Sequence, residues 1–132
     1  MFVKVNDVDL YYETLGQGKP LLMVHGNSED HTIFDKAAEV LKDHFEVYLI
    51  DSRDHGLSSR VDELHYEDMA DDIVKLMEQL DLKDVTYYGF SDGGILGLLA
   101  GMKTDRISRM ILSGSNITTR SEEHTSELQS RI

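Results

Sequence analysis

The order of hydrophobic and polar positions along this chain predicts short strands that alternate with helices. Residues 2–13 contain two runs of alternating character joined by Asn6-Asp7, a pair that tolerates the positive φ angles of a tight hairpin. Three later runs are apolar over the length of a strand, which is typical of strands buried on both faces: LLMVHG, FEVYLID and DVTYYGF. ISRMILSG, at 107–114, predicts a further strand.

Helical spacing of apolar residues separates these strands. Residues 30–42 and 66–80 repeat apolar side chains at intervals of three and four, and the second segment carries acidic residues in its first turn, where the helix dipole is positive. DGGILGLLAGM, at 92–102, is apolar all round and predicts a helix packed into the interior. The alternation indicates an α/β protein. We expect a mostly parallel sheet of about six strands, opened by an antiparallel hairpin and covered by helices on both faces.

Composition narrows the classes of function. The chain of 132 residues is long enough for one domain with a core. Its net charge of −12 disfavours nucleic acids and anionic membranes as partners, because both attract Lys and Arg. With no cysteine, disulfides, thiol catalysis and cysteine-ligated metals are excluded. The N-terminus has no signal-peptide core and no apolar run is long enough to span a bilayer, so a cytoplasmic protein is expected.

The segment GFSDGG is the strongest candidate for chemistry. Gly89-Phe90-Ser91-Asp92-Gly93 fits G-x-S-x-G and lies where a predicted strand meets a predicted helix. A chance match in a chain of this length is roughly a 1-in-20 event, so the context supplies the specificity. The turn would raise the Ser91 hydroxyl above the sheet edge and present the Asp92 N–H to a developing oxyanion. A glycine-rich turn without catalysis is the alternative interpretation.

Two other polar loops follow predicted strands. The N–H of Asn27, in HGNSED, is a candidate second oxyanion donor if its strand lies beside the strand that precedes Ser91. The later loop, DSRDHGLS, carries three side chains of catalytic type: Asp51, Arg53 and His55. The favoured interpretation of that loop is a structural turn whose side chains bond the local backbone.

Taken together and in this order, the three motifs resemble the α/β-hydrolase superfamily over residues 1–116. HGN is similar to its oxyanion loop, DSRDHGLS to its D-x-R-G-H-G-x-S loop, and GFSDGG to its nucleophile elbow. Asp54 stands where the family usually has glycine. A serine at the elbow separates the chain from the dehalogenase branch, which uses aspartate. GFSDGGILGLL and ISRMILSGSN look most like the biphenyl-hydrolase-like esterases, which cleave α-amino-acid esters, and that resemblance implies that Asp92 also holds a substrate ammonium group.

The resemblance also implies that the catalytic acid and histidine follow the nucleophile along the chain. Five of the six histidines precede Ser91, however. The resemblance assigns His25 and His55 to structural loops, and a solvated surface position is the favoured interpretation of three others: His31, His44 and His65. No zinc-ligand spacing is present, so no metal is expected.

The final stretch abandons the strand and helix pattern. RSEEHTSELQS, at 120–130, is what one reading frame of a widely used sequencing-library adapter encodes, and it contains the sixth histidine, His124. We therefore expect residues 1–119 to be the N-terminal part of an α/β-hydrolase domain and 120–132 to be a non-native tail. By the family pattern, the cap, two further strands, the catalytic acid and the histidine would then be missing.

The predicted function is that of the parent gene: hydrolysis of a small carboxylic ester, or an amide or α-amino-acid ester, through an acyl-enzyme on Ser91. No organic cofactor is implied. Thioester cleavage, C–C bond hydrolysis, perhydrolysis and aminopeptidase activity use the same elbow and stay open. The chain as given is expected to be inactive, because its triad partners are absent. A non-catalytic interaction module is the alternative from another class, and the sequence does not indicate an oligomeric state.

Overall fold

A computed structural model describes residues 1–114 and arranges them as a sheet flanked by helices. The strands are β1 (Phe2–Val5), β2 (Val8–Leu15), β3 (Lys19–Val24), β4 (Phe45–Ile50), β5 (Val85–Phe90) and β6 (Ile107–Ser113). The α-helices are α1 (Asp35–Leu41), α2 (Tyr66–Gln79) and α3 (Asp92–Gly101), and a 3-10 helix covers His31–Phe34. The predicted non-native tail and His124 lie outside the described residues. Within the described part, no helix has the length and apolar character needed to cross a membrane.

The six strands form one sheet in the order β1-β2-β4-β3-β5-β6. β4, β3, β5 and β6 run parallel, and β1 and β2 form an antiparallel hairpin that pairs with β4. The predicted fold class, sheet and hairpin are therefore confirmed. At the hairpin turn Asn6 and Asp7 have φ angles of 45° and 69°, as a two-residue turn of the primed type requires.

Both faces of the sheet carry helices, as predicted. The larger core cluster lies under α2 and α3, where α3 contributes Ile95, Leu96 and Leu99. A smaller cluster lies under the 3-10 helix and α1 on the opposite face, and includes Phe34 and Ala38. α3 is buried almost all round, in agreement with its uniformly apolar sequence.

The segment predicted as one helix over 30–42 has two parts. It begins as the 3-10 helix, with the Asp30 carboxylate accepting a hydrogen bond from Thr32 N–H, and becomes α-helical at Asp35. A 3-10 turn at a helix start is common, and apolar periodicity does not distinguish it from an α-helix.

Part of the sheet face that carries α1 is not covered by a helix. An apolar groove of about 330 Å³ runs between α1 and the strands β5 and β6. Its lining includes Met23, Phe34, Leu41, Tyr88 and Ile111. The open groove explains why alternate residues of β5, predicted to be fully buried, are only partly buried.

Candidate active site

Ser91 occupies the turn between β5 and α3 in a conformation that ordinary residues avoid. Its φ is 56° and its ψ is −121°, in a region where a side chain is strained. The turn is held by main-chain hydrogen bonds from Ser91 N–H to the Ser113 carbonyl (2.9 Å) and from Gly94 N–H to the Ser91 carbonyl (2.9 Å). Such a strained serine at a strand-to-helix turn is what a nucleophile elbow requires.

The glycines of the motif are required by close backbone packing. A Cβ atom on Gly89 would lie 2.5 Å from the Gly93 carbonyl oxygen, and one on Gly93 would collide with the carbonyl oxygen of Val24. Real Cβ atoms do not approach backbone this closely, so neither position accepts a side chain without a shift of the chain. The first turn of α3 therefore packs directly on the end of β3.

Tyr87 supports this turn from below. Its hydroxyl donates a 2.6 Å hydrogen bond to the carbonyl of Gly93, and its ring is fully buried where Gly97 brings α3 close. Burial raises the pKa of Tyr87 well above its usual value, so the phenol keeps the proton that it donates.

The loop after β3 lies against the elbow. β3 and β5 are parallel neighbours with Val24 opposite Gly89, so the loops that follow them start side by side. A Cβ atom on Gly26 would lie 2.9 Å from the Ser91 Cβ and 2.7 Å from the Glu29 Oε1. The condition set for Asn27 as an oxyanion donor, adjacency of its strand to the strand before Ser91, is met. Asn27 itself is exposed.

Glu29 is a neighbour of the site that the sequence did not reveal. Its carboxylate accepts a 2.8 Å hydrogen bond from Gly26 N–H, and its own N–H donates to the Gly26 carbonyl (3.3 Å). The two bonds close the loop into a tight turn beside Ser91. No periodicity or motif marks a loop glutamate of this kind, so only the folded loop reveals it.

The loop after β4 is organised around a fully buried carboxylate. Asp51 accepts hydrogen bonds from the N–H groups of His31 (2.8 Å) and Leu57 (2.9 Å). Its main-chain carbonyl accepts a further bond from the Ser58 hydroxyl. The bonds from Leu57 and Ser58 are local, as the structural interpretation of DSRDHGLS predicts, whereas the bond from His31 comes from the 3-10 helix. Arg53 differs, because it reaches Asp72 on α2 with two hydrogen bonds of 2.6 and 2.8 Å.

Asp54 adopts the conformation that the family's glycine would supply. Its φ is 66°, in the left-handed region that Asp tolerates better than most residues. Its N–H donates to the Ser59 carbonyl and its carboxylate accepts from Val61 N–H, which fixes the turn locally. The departure from the family pattern therefore preserves the loop.

His25 and His55 join these two loops from inside. His25 Nε2 accepts a hydrogen bond from Ser52 N–H (3.0 Å), and its Nδ1 lies 2.6 Å from the Gly26 carbonyl. His55 mirrors the pattern: its Nε2 accepts from Ser28 N–H (3.1 Å). The rings lie 5.1 Å apart. Both histidines are buried, and burial lowers the pKa of His25.

His31 is not the solvated surface residue that the sequence suggested, and that prediction is wrong. The side chain is buried, with Nδ1 2.9 Å from Asp51 Oδ1 and Nε2 3.4 Å from Glu13 Oε2. Burial lowers its pKa, but the hydrogen bond and charge of Asp51, with the charge of Glu13, outweigh that effect and raise it. The partners come from β2 and the end of β4, so no local pattern around residue 31 announces them.

One group of potential metal ligands occurs within residues 1–114: Asp30, His31 and Asp51. Hydrogen bonds already account for it. Asp30 accepts from Thr32, and His31 donates to Asp51. We therefore interpret the group as an ion pair that joins two loops, and assign no metal to it.

The chain belongs to the α/β-hydrolase fold family, whose model matches residues 19–131. Among curated relatives it is similar to the serine hydrolase BPHL of Mus musculus, with 33% identity over 129 residues, covering 92% of this chain and 44% of that protein. The chain thus spans less than half the length of that relative.

Solved structures give the same assignment. An esterase from Exiguobacterium antarcticum superposes with a TM-score of 0.83 at 30% identity, covering 86% of this chain and 44% of that one. A thermophilic esterase from Thermogutta terrifontis superposes with a TM-score of 0.81 at 31% identity, covering 91% and 45%. The three relatives named here are a serine hydrolase and two esterases, and other matches include a putative non-heme chloroperoxidase of Synechocystis sp. and a cis-3-alkyl-4-alkyloxetan-2-one decarboxylase of Shewanella oneidensis.

Proposed function

We propose that this chain is the N-terminal part of a serine hydrolase that cleaves small carboxylic esters through an acyl-enzyme on Ser91. The main support is the conformation of Ser91 at the β5–α3 turn, directly against the Gly26 loop. In the proposed reaction the Ser91 oxygen attacks the ester carbonyl and the alcohol leaves. Water then releases the acid and regenerates the serine.

The proposed oxyanion hole consists of two main-chain donors, the N–H groups of Asn27 and Asp92. Asp92 is the first residue of α3, where helix N–H groups and the dipole favour negative charge. Asn27 follows Gly26, which lies against Ser91. Each such donor contributes about 3–4 kcal/mol to transition-state stabilisation in enzymes of this kind.

None of the three buried histidines is available to accept the proton of Ser91. His25, His31 and His55 each have both ring nitrogens within reach of backbone, carboxylate or amide groups of the two loops and β2. We propose that the catalytic histidine and acid belong to the portion of the parent enzyme that corresponds to the unmatched half of its relatives. The chain alone would then turn over esters only weakly or not at all.

The substrate class within the esters is proposed more narrowly from the likeness to BPHL. Asp92 is buried in the first turn of α3 beside Ser91, where a carboxylate would attract a cationic group of the substrate. α-Amino-acid esters carry such a group, so we propose that they are preferred over neutral esters of equal size.

The test joins residues 1–119 to the C-terminal half of a relative, such as the esterase from Exiguobacterium antarcticum, and measures hydrolysis of p-nitrophenyl esters. The proposal expects turnover that Ser91→Ala lowers by roughly four to six orders of magnitude. Ser108→Ala, at an exposed position on β6, is the matched control and should retain the full rate. No turnover, or turnover unchanged in Ser91→Ala, would refute the proposal.

A further inference from the structure

Three imidazoles connect the loop that lies against Ser91 to the loop after β4. We call residues 25–31 the β3 loop and residues 51–60 the β4 loop. His25 of the β3 loop accepts from Ser52 N–H, His55 of the β4 loop accepts from Ser28 N–H, and His31 bonds Asp51 through both its main chain and its ring. Each connection is made by an imidazole, whose hydrogen bonds depend on which ring nitrogens carry a proton.

In two of these connections the ring is bonded in its neutral form. In His25, Nδ1 donates to the Gly26 carbonyl and Nε2 accepts from Ser52 N–H. In His55, Nδ1 donates to the Arg53 carbonyl and Nε2 accepts from Ser28 N–H. A second proton on the His25 ring would turn the acceptor nitrogen into a donor that faces the Ser52 N–H, whereas the Nε2 atom of His55 also lies 3.4 Å from the Asn27 Oδ1, which is an acceptor. With the rings 5.1 Å apart, two added charges would also repel each other.

The third connection requires a charged ring. His31 lies between the Asp51 and Glu13 carboxylates, so both of its nitrogens face acceptors. Loss of one proton would leave a bare ring nitrogen against a carboxylate oxygen. Because Asp51 is fully buried, water cannot replace the hydrogen bond that its carboxylate would lose.

We propose that the three histidines form a pH-dependent latch that keeps the β3 loop, and with it Asn27, in place only between an acidic and an alkaline limit. Acid releases the loop by protonating His25, and alkali releases it by deprotonating His31. The inference rests on the proposed function only for the role of Asn27, because the loop itself can be followed without substrate.

The directions in which the pKa values of His25 and His31 are shifted define the pH range over which the latch is closed. The pKa of His25 is lowered by burial, so its contribution to stability is complete above the unfolded value of about 6.5 and is lost as pH falls through the lowered folded value. The pKa of His31 is raised, so its contribution is complete below about 6.5 and is lost as pH rises through the raised folded value. The latch is closed between the two folded values.

Neighbouring titratable groups also raise or lower the pKa values of His25 and His31. Glu29 and Asp51 favour a protonated His25, whereas His55 opposes it. Asp30 favours a protonated His31 together with its two main partners, Asp51 and Glu13. From β2, Tyr11 packs its ring against His31, and its hydroxyl donates a hydrogen bond to Glu13. These groups widen or narrow the pH range over which the latch is closed. They do not change the fact that His25 and His55 are bonded as neutral rings and His31 as a charged ring.

The test uses the full chain at low micromolar concentration and hydrogen exchange read by mass spectrometry. Exchange at the imidazole C2 carbon from about pH 5 to about pH 9 reports the titration of His25 and of His31. We expect His25 to titrate below the ordinary histidine value of about 6.5 and His31 above it. Amide protection of residues 25–31, corrected for intrinsic exchange, should be bell-shaped and fall by up to about tenfold per pH unit outside the window.

His31→Gln tests the alkaline limit separately. The variant keeps a donor for Asp51 but cannot titrate, so the decline in loop protection at alkaline pH should vanish while the acid decline remains. His44→Gln, at an exposed position, should leave both declines unchanged. Loop protection that stays flat across the range in the wild-type chain, or that parallels the protection of α2, overturns the proposal. Because no step requires ester turnover, failure of the latch and failure of the proposed hydrolase are separate results.

Discussion

At the scale of single residues, the decisive feature is a backbone that keeps Ser91 strained. A left-handed serine costs on the order of 1–3 kcal/mol, and the surrounding contacts must offset that cost. They do so by close packing: Gly93 lies on the Val24 carbonyl, and the Tyr87 hydroxyl holds the Gly93 carbonyl from below. Small changes at these positions are therefore expected to have large effects.

Gly93→Ala tests this packing. The added methyl group would meet the backbone of Val24, which cannot move aside as a flexible side chain would, so we expect a loss of about 1–3 kcal/mol in the free energy of unfolding. Chemical denaturation of the chain at low concentration measures it. Gly101→Ala, at the other end of α3, is the matched control. Its methyl would meet only the Met110 Cε at 3.1 Å, and alanine favours helix, so stability should change by less than about 1 kcal/mol, upward. Equal losses in both variants would contradict the packing argument.

Residue-level prediction from sequence succeeded where the chemistry is local. The G-x-S-x-G spacing places a serine at a turn because the glycines and the turn are neighbours in sequence. His31 was beyond reach for the opposite reason. The environment of His31 comes from Glu13 and Asp51, which are distant along the chain and meet it only after β2 and β4 pair.

At the scale of elements, the β4 loop is tied to α2 by an ion pair at the centre of a small network. Arg53 binds Asp72 with two hydrogen bonds, and Asn6 of the hairpin turn donates to the same carboxylate at 3.1 Å. The side chains of Arg53 and Asp72 are 11% and 2% exposed, so the pair is shielded from water. The network joins the hairpin, the β4 loop and α2.

Removing one partner of this pair should be costly. Arg53→Ala leaves the buried Asp72 carboxylate without its counter-ion, and we expect a loss of about 3–5 kcal/mol in the free energy of unfolding. Lys75→Ala serves as the control, because it breaks an exposed pair with Glu78 on the same helix and should cost less than about 1 kcal/mol. If thermal or urea unfolding gave the same loss of stability for both variants, the role assigned to the buried Arg53–Asp72 pair would be refuted.

Sequence patterns located each helix and strand of residues 1–114 because each repeats its apolar period over several residues. The details that escaped depend on neighbours. The start of the 30–42 helix is 3-10, and the side chains of β5 toward the α1 face are only partly buried because the apolar groove lies above them. Periodicity reports that a face is apolar and does not report what covers it.

At the scale of the whole molecule, the two faces of the sheet are unequally covered. α2 and α3 bury the larger cluster, whereas the α1 face keeps the apolar groove, with Ile111 on β6 51% exposed at its edge. Exposed apolar surface of this kind favours association. We therefore expect the chain to self-associate as its concentration rises.

Ile111→Glu tests the role of this groove. Burying an isoleucine is worth about 1.5–3 kcal/mol, so the variant should weaken self-association by at least about tenfold in sedimentation or light-scattering measurements. Leu64→Glu is the matched control, since Leu64 is 38% exposed and lies outside the groove lining. Weakening of equal size in both variants would show that general charge, not the groove, is responsible.

The measurement that tests the central claim most directly is covalent labelling of Ser91. The joined enzyme, residues 1–119 with the C-terminal half of a relative, is treated with a fluorophosphonate, and the modified peptide is identified by mass spectrometry. The account predicts a stoichiometric adduct on Ser91, blocked by ester substrate and absent in Ser91→Ala, with little labelling of the chain alone. An adduct on another residue of an ester-hydrolysing enzyme would contradict it.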